Sequence, residues 1–195
     1  MAVRLTAYEQ DMLDGKFGRA KQLALEGILR YAEILGAEEL VEITKGHRCC
    51  GCTAVPADFP DGDLSNPEYL MQDFYDQHIS VFLPELQRGE FDGYYPGALL
   101  MDDVNTSDAY QWQYTQQTEA FWNLNRRILD ENVRYGWIAG STCAPYLAGW
   151  LPVMGEYFVT TESSNVLYCN SILGARGNGG GTATTILSTI CGRAP

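Results

Sequence analysis

Across residues 156–190 the chain passes through a short apolar strand (156–161), a helix (163–173), a glycine tract and a second helix (182–190). Helices that alternate with short strands across glycine-rich turns are the pattern of an α/β domain with a mostly parallel sheet. The amino-terminal part fits the same pattern. Thr6 and Glu9 have the spacing of a capping box ahead of a short helix that stops at Asp14-Gly15. A second helix carries Ala20, Leu23, Ala24, Gly27, Ile28, Tyr31, Ile34 and Leu35 on one stripe and is ended by Gly36. Residues 40–44 read as a short strand that delivers His47, Arg48, Cys49, Cys50 and Cys52 into a loop, and strand ends feeding polar loops are where α/β folds place ligands.

The middle of the chain reads as a surface loop (52–64), a helix (67–77), a strand (79–83), a turn (92–97), a long helix (107–135) and a buried strand (137–139). No internal repeat or linker interrupts the 195 residues, so a single domain over 1–195 is expected. The formal net charge is 13 minus 25, or -12, with the acidic residues spread throughout and no basic patch, which argues against a nucleic-acid partner. No apolar run approaches a membrane span, and Met1-Ala2-Val3-Arg4 leads into helix-forming sequence rather than a signal peptide, so a cytoplasmic location is expected and no membrane partner. Six cysteines in that setting argue for thiols or metal ligands over disulfides.

The groups able to do chemistry concentrate near the carboxyl end. Glu162 stands at a strand-to-helix junction with Ser163 and Ser164 in the first helical turn, where unpaired N–H groups and the positive dipole end favour an anion. The plainer alternative is that Ser163 caps the helix and Glu162 is solvated. Asn170, Ser171 and Arg176 lead into Asn178 and Gly179-Gly180-Gly181, so a second helix start lies beside an arginine able to clamp a carboxylate or phosphate. Alternatively, the glycines form a flexible turn.

Cys143 follows a strand in Ser141-Thr142-Cys143-Ala144-Pro145-Tyr146, an exposed setting that suits a metal ligand or a nucleophile. Cys49, Cys50 and Cys52 could add thiolates to an iron site, although a Cys-Cys-x-Cys run lacks zinc-knuckle spacing. Cys169 and Cys191 fall inside apolar helices and read as small core residues. His47 either orients a substrate, acts as an acid or base, or is a loop histidine held by a backbone carbonyl; nothing near His78 recommends it.

Ser141 to Tyr146, Gly155-Glu156, Glu162-Ser163-Ser164 and the run from Asn170 to Asn178 resemble the large subunit of the aconitase X family. So does the opening from Leu5-Thr6 through Met12-Leu13-Asp14-Gly15, Gly18 and Ala37-Glu38 to His47. The resemblance implies an aconitase-like three-layer α/β domain preceded by amino-terminal helices. It also implies a hydro-lyase that dehydrates a small hydroxy acid, with cis-3-hydroxyproline or a phosphorylated mevalonate as known classes, using an iron or iron-sulfur centre ([2Fe-2S] or [4Fe-4S]). By the same resemblance Cys143 is a metal ligand, and Ser163, Ser164 and His47 are catalytic. Glu162, Asn170, Ser171, Arg176 and Asn178 surround the substrate.

Three departures accompany the likeness. Gly179 and Gly180 stand where the family carries an arginine and a glutamate, and the Cys49-Cys50-x-Cys52 run is not part of its pattern. The chain also ends at Pro195, about where the family's large subunit is half complete. A companion subunit supplying the remaining cysteines and a small swivelling domain is therefore expected. A non-catalytic aconitase X-like structural subunit and a self-contained iron-sulfur or zinc module using Cys49, Cys50 and Cys52 are the alternatives.

Overall fold

The computed structural model describes residues 3–48, 98–100, 138–139, 142 and 144–195. Helix α1, Ala7–Leu13, starts where the capping box predicts: Thr6 Oγ1 accepts the Glu9 N–H at 3.3 Å, and the Thr6 N–H donates to Glu9 Oε2 at 2.8 Å. Helix α2, Arg19–Leu35, stops at Gly36, whose φ of +72° lets its N–H turn back onto the Ala32 and Glu33 carbonyls. Ala20, Ala24, Leu25, Ile28 and Ala32 form the buried stripe of α2, while Ile34 and Leu35 from the expected stripe are exposed at its end.

The strands are β1 (Val41–Glu42), β2 (Lys45–Arg48), β3 (Ala98–Leu100), β4 (Ile138–Ala139), β5 (Tyr157–Thr160), β6 (Arg176–Gly179) and β7 (Arg193–Ala194). Helix α3 is Ser163–Ser171 and α4 is Thr182–Cys191. Five strands make one parallel sheet in the order β4-β3-β2-β5-β6, and β1 and β7 pair antiparallel apart from it. This is the α/β fold expected from the alternation.

The strand expected over 40–44 is in fact two. Val41 and Glu42 pair with Ala194 and Arg193, whereas the Thr44 N–H reaches the Tyr157 carbonyl and begins the neighbouring strand of the main sheet. His47 consequently lies inside β2, paired with Thr160, rather than in a loop. Part of the glycine tract is also strand, since Arg176–Gly179 pairs residue for residue with β5. Ile138 of β4, expected to be buried, is half exposed at the end of the strand order. The expected loop at 52–64, helix at 67–77, strand at 79–83, turn at 92–97 and helix at 107–135, with His78, lie outside the described residues.

Strand alternation distributes side chains to two helical layers. Phe158 packs with Cys169 of α3, Trp150 and Ala175 on one face, and Thr160 follows it on that face. Gly46 of β2 backs onto Thr189 of α4 on the other face. Beyond α4 lies a second core in which Ile186, Leu187, Ile190 and Cys191 meet Met12 of α1 and Ala24, Leu25 and Ile28 of α2. Cys169 and Cys191 are buried as expected, and desolvation pushes their thiols up to about 11 and about 12, so neither is a thiolate at neutral pH.

A polar clasp ties the first helix to the last strand. Glu9, 2 % exposed, accepts from Arg193 Nε at 2.9 Å while the Arg193 guanidinium sits 5.0 Å from the Tyr8 ring centre. Among the described glycines the closest approach is at Gly46, where a Cβ would overlap Thr189 Oγ1 and crowd its carbons. Gly46→Ala is expected to lower unfolding stability by about 1–3 kcal/mol through overpacking. Denaturant melts should show the loss, and trimming the neighbour in Gly46→Ala/Thr189→Ala should recover part of it. Full stability in the single variant would contradict this packing.

Candidate functional site

In the strand order, β2 is flanked by β3 on one side and by β5 on the other, so the chain reverses its direction of travel across the sheet between β2 and β5. Open α/β sheets bind ligands at the carboxyl ends of the strands at such a reversal. Here that edge is formed by His47 and Arg48 of β2, and by Thr160, Thr161 and Glu162 at the end of β5. Helices α3 and α4 both begin at this edge, because each follows a strand that ends there.

A buried polar network lies directly beneath the edge. His47 Nδ1 is 2.9 Å from Thr160 Oγ1, and His47 Nε2 is 3.3 Å from the Thr142 carbonyl. A carbonyl only accepts, so Nε2 carries the proton and Nδ1 takes the hydroxyl proton of Thr160. The Thr160 oxygen in turn accepts from Asn165 Nδ2 at 3.2 Å and from the Glu162 N–H at 3.2 Å. Asn165 Oδ1 accepts from the Cys169 thiol at 3.3 Å, which completes the chain of donors and acceptors. His47, Thr160 and Asn165 are each 0 % exposed, so this satisfied network is fixed in place.

Burial pushes the His47 imidazole down to about 4, against the opposing pull of the Thr142 carbonyl bond and the Glu162 carboxylate. The ring is neutral at pH 7, packs 5.7 Å from Trp150, and offers neither nitrogen to a ligand. It positions the edge from below.

Above the network, Glu162 is the N-cap of α3, a place the sequence reading had offered to Ser163. Its Oε1 accepts from the Ser164 N–H at 3.3 Å and from Ser163 Oγ at 3.4 Å. Ser163 is exposed and Ser164 partly so, which leaves a carboxylate and two hydroxyl groups together at the rim. Thr142 and Ala144, the neighbours of Cys143, are held at the same edge through His47 and through the Ala144 N–H to Thr142 Oγ1 at 3.1 Å. Cys143 itself, and Cys49, Cys50 and Cys52, lie outside the described residues.

The structure does not bring Asn170, Ser171 or Arg176 to this edge. Arg176 opens β6 in register with Tyr157, three residues before the Thr160–Gly179 pair, or about 10 Å back along the strand. There its Nη1 donates to the Tyr157 hydroxyl at 2.9 Å, and its guanidinium lies 5.4 Å from the ring centre. Asn170 and Ser171 close the last turn of α3. The Asn170 amide accepts the Gly177 N–H at 2.8 Å and donates to the Gly177 carbonyl at 3.0 Å, as a neighbouring strand would, on the side of β6 where no strand pairs among the described residues. Asn178 belongs to β6 opposite Val159, nearer the ligand edge than Arg176.

Among the described residues no cluster of three or more His, Cys, Asp or Glu side chains could hold a metal ion. The two described cysteines are protonated core thiols and His47 has both nitrogens engaged, so these residues do not by themselves fit an iron centre. Sequence reasoning also missed Thr160, Asn165 and Trp150. Thr160 ends an apolar strand and Asn165 sits inside a helix, and only their shared height beside His47 gives them away.

The chain matches the aconitase X first-domain family over residues 2–65 and 101–195. It belongs to the aconitase X family. Aligned relatives include the phosphomevalonate dehydratase large subunit of Methanothermobacter thermautotrophicus, 29% identical over 99% of this chain and 43% of that protein. The cis-3-hydroxy-L-proline dehydratase of Pseudomonas aeruginosa is 29% identical over 98% of this chain and 29% of its own length. The fold is similar to the crystal structure of Thermococcus kodakaraensis aconitase X (holo-form), with a TM-score of 0.66 and 24% identity over 99% of this chain and 42% of that one. The chain thus spans less than half the length of these relatives. No helix among the described residues is long and apolar enough to cross a membrane.

The neutral buried imidazole makes stability depend on pH. Below the ordinary histidine value of 6.5 the unfolded chain takes up a proton that folded His47 refuses until about 4. Stability present above pH 6.5 is therefore lost as the pH falls through that window, on the order of 3 kcal/mol in full. Unfolding curves across the window should show the loss, while the His47 ring resonances stay unshifted down to about pH 5. A midpoint near 6.5 for His47 in the folded protein would contradict the buried network.

Proposed function

We propose that this chain is one subunit of a hydro-lyase that removes water from a small hydroxy acid at the carboxyl edge of β2 and β5. The observation that carries the reading is the Glu162-Ser163-Ser164 rim. It stands at the reversal of the sheet above an immobile His47–Thr160–Asn165 network, in a family whose named members above are dehydratases.

In this reading the rim hydroxyls of Ser163 and Ser164 meet the substrate's polar groups, and Glu162 orients it or takes the proton alpha to its carboxylate. His47 acts on the substrate only through Thr160, whose oxygen receives the Glu162 N–H and so fixes the start of α3. In the same reading Asn170 and Arg176, expected around the substrate, are assigned instead to holding the edge strand β6.

An iron centre of the kind the family resemblance implies would supply a Lewis acid for the leaving hydroxyl. The described residues do not furnish its donor set, so Cys143 and thiolates from a companion polypeptide are assigned to it. The word "large subunit" in the relatives' names supports such a companion.

The test is anaerobic co-purification, iron and sulfide analysis, and assay of water loss from phosphomevalonate and from cis-3-hydroxy-L-proline. Activity is expected only with the companion present, Cys143→Ser is expected to lose the iron, and Glu162→Gln is expected to lower kcat about 100-fold or more while folding normally. A metal-free complex inactive on both substrates would instead favour a non-catalytic subunit.

A further inference from the structure

The two helices that begin at the ligand edge are finished differently. Helix α3 is capped by the Glu162 carboxylate, whereas α4, ten residues long, follows Gly181 and has no side-chain cap. Its first turn therefore presents N–H groups from Thr182, Ala183 and Thr184 that no capping side chain satisfies. The Thr185 N–H already belongs to the helix, donating to the Gly181 carbonyl at 3.0 Å.

Thr185 supplies the second observation. Thr184 Oγ1 and Thr189 Oγ1 fold back onto carbonyls of their own helix, at 2.9 Å to Gly181 and 2.8 Å to Thr185. Thr185 Oγ1 does not; it is buried in a residue 1 % exposed, with no hydrogen-bond partner. A buried hydroxyl without a partner is costly, and native proteins keep few of them without a use.

Thr185 lies one turn before Thr189 on the face of α4 that meets β2, which places it toward the carboxyl end of the sheet. The glycine turn packs against these hydroxyls: a Cβ at Gly180 would be crowded by Thr184 Oγ1 at 3.0 Å and would touch Thr185 Oγ1 at 3.5 Å. Gly180 directly follows Gly179, which pairs with Thr160 of the buried network.

We infer that the α4 first turn, the glycine turn and the Thr185 hydroxyl form an oxyanion subsite that binds an acidic group of the substrate, a carboxylate or a phosphate monoester. The inference rests on the hydro-lyase reading for the identity of the substrate, but its geometry stands on α4 alone. Backbone N–H groups and a hydroxyl donate to two or three oxygens of the anion, and the helix dipole favours its charge.

The experiment measures anion binding without turnover. Inorganic phosphate and malate are titrated against the full chain with any companion it retains, following melting temperature and heat of binding. At least one of the two is expected to protect wild type: phosphate alone assigns a phosphate monoester, malate alone a carboxylate, and both a general oxyanion site. Thr185→Val should weaken that binding about 10-fold or more while leaving melting temperature without anion unchanged or raised, since the hydroxyl it removes is unpaired. Thr185→Ser should restore binding. Arg176→Ala should leave it intact.

Equal binding by Thr185→Val, protection by neither anion, or loss of binding in Arg176→Ala would overturn the subsite. Dehydration that persists with normal KM in Thr185→Val would sink the subsite and leave the hydro-lyase reading standing. Anion binding that depends on Thr185 in a protein without dehydratase activity would do the reverse.

Discussion

The pairing of β2 with β5 governs the rest of this structure, because it sets His47 beside Thr160 in a place that water does not reach. Two polar side chains in a dry interior must satisfy each other and their neighbours or cost several kilocalories per mole. One proton arrangement satisfies every member: His47 donates from Nε2 to the Thr142 carbonyl, Thr160 donates to Nδ1, and the Thr160 oxygen accepts from Asn165 and from the Glu162 backbone. The network thereby joins three stretches of chain that are far apart in sequence: β2, the segment at Thr142, and the β5–α3 junction. A slip of β2 by one residue would turn His47 toward α4 and break every one of these bonds.

The same constraint explains how function and folding are separated along the sheet. At the carboxyl edge, polar groups are held from below and exposed above, as with Glu162, Ser163 and Ser164. At the opposite edge, polar groups are spent on the fold. Asn170 bonds both backbone groups of Gly177 in β6, and Arg176 is bonded to Tyr157 and lies over its ring. A residue's chemical type does not distinguish these duties; its height along the strand does.

That distinction marks how far the sequence was legible. The capping box at Thr6 and Glu9, the glycine stops and the helix–strand order are local signals, and α1, α2, β5, α3 and α4 lie close to where those signals place them. The motifs were specific enough to point to the right family. Two readings failed for a shared physical reason. Polar or glycine-rich stretches look like loops when their partners are unknown, yet His47 is satisfied by Thr160 and Thr142, and Gly177 leaves room for the Phe158 ring where a Cβ would overlap it. In both cases the compensating group is remote in sequence or on another strand, so no window along the chain contains it.

The clustering of Glu162, Asn170 and Arg176 in sequence suggested one site, but α3 intervenes. Nine helical residues span about 13 Å, so its first and last turns cannot serve the same small ligand. A helix N-terminus whose cap is its own carboxylate is also poorly suited to a second anion, since the two negative charges would compete for the same N–H groups. The adjacent α4 start has no such occupant, and its buried Thr185 hydroxyl faces the sheet without a partner. The two helix starts therefore divide the work: an acidic group that acts on or orients the substrate at α3, and a receptor for the substrate's own acidic group at α4. With like charges held apart on separate helices, a carboxylate can approach an anionic substrate without forfeiting the binding that brings it there.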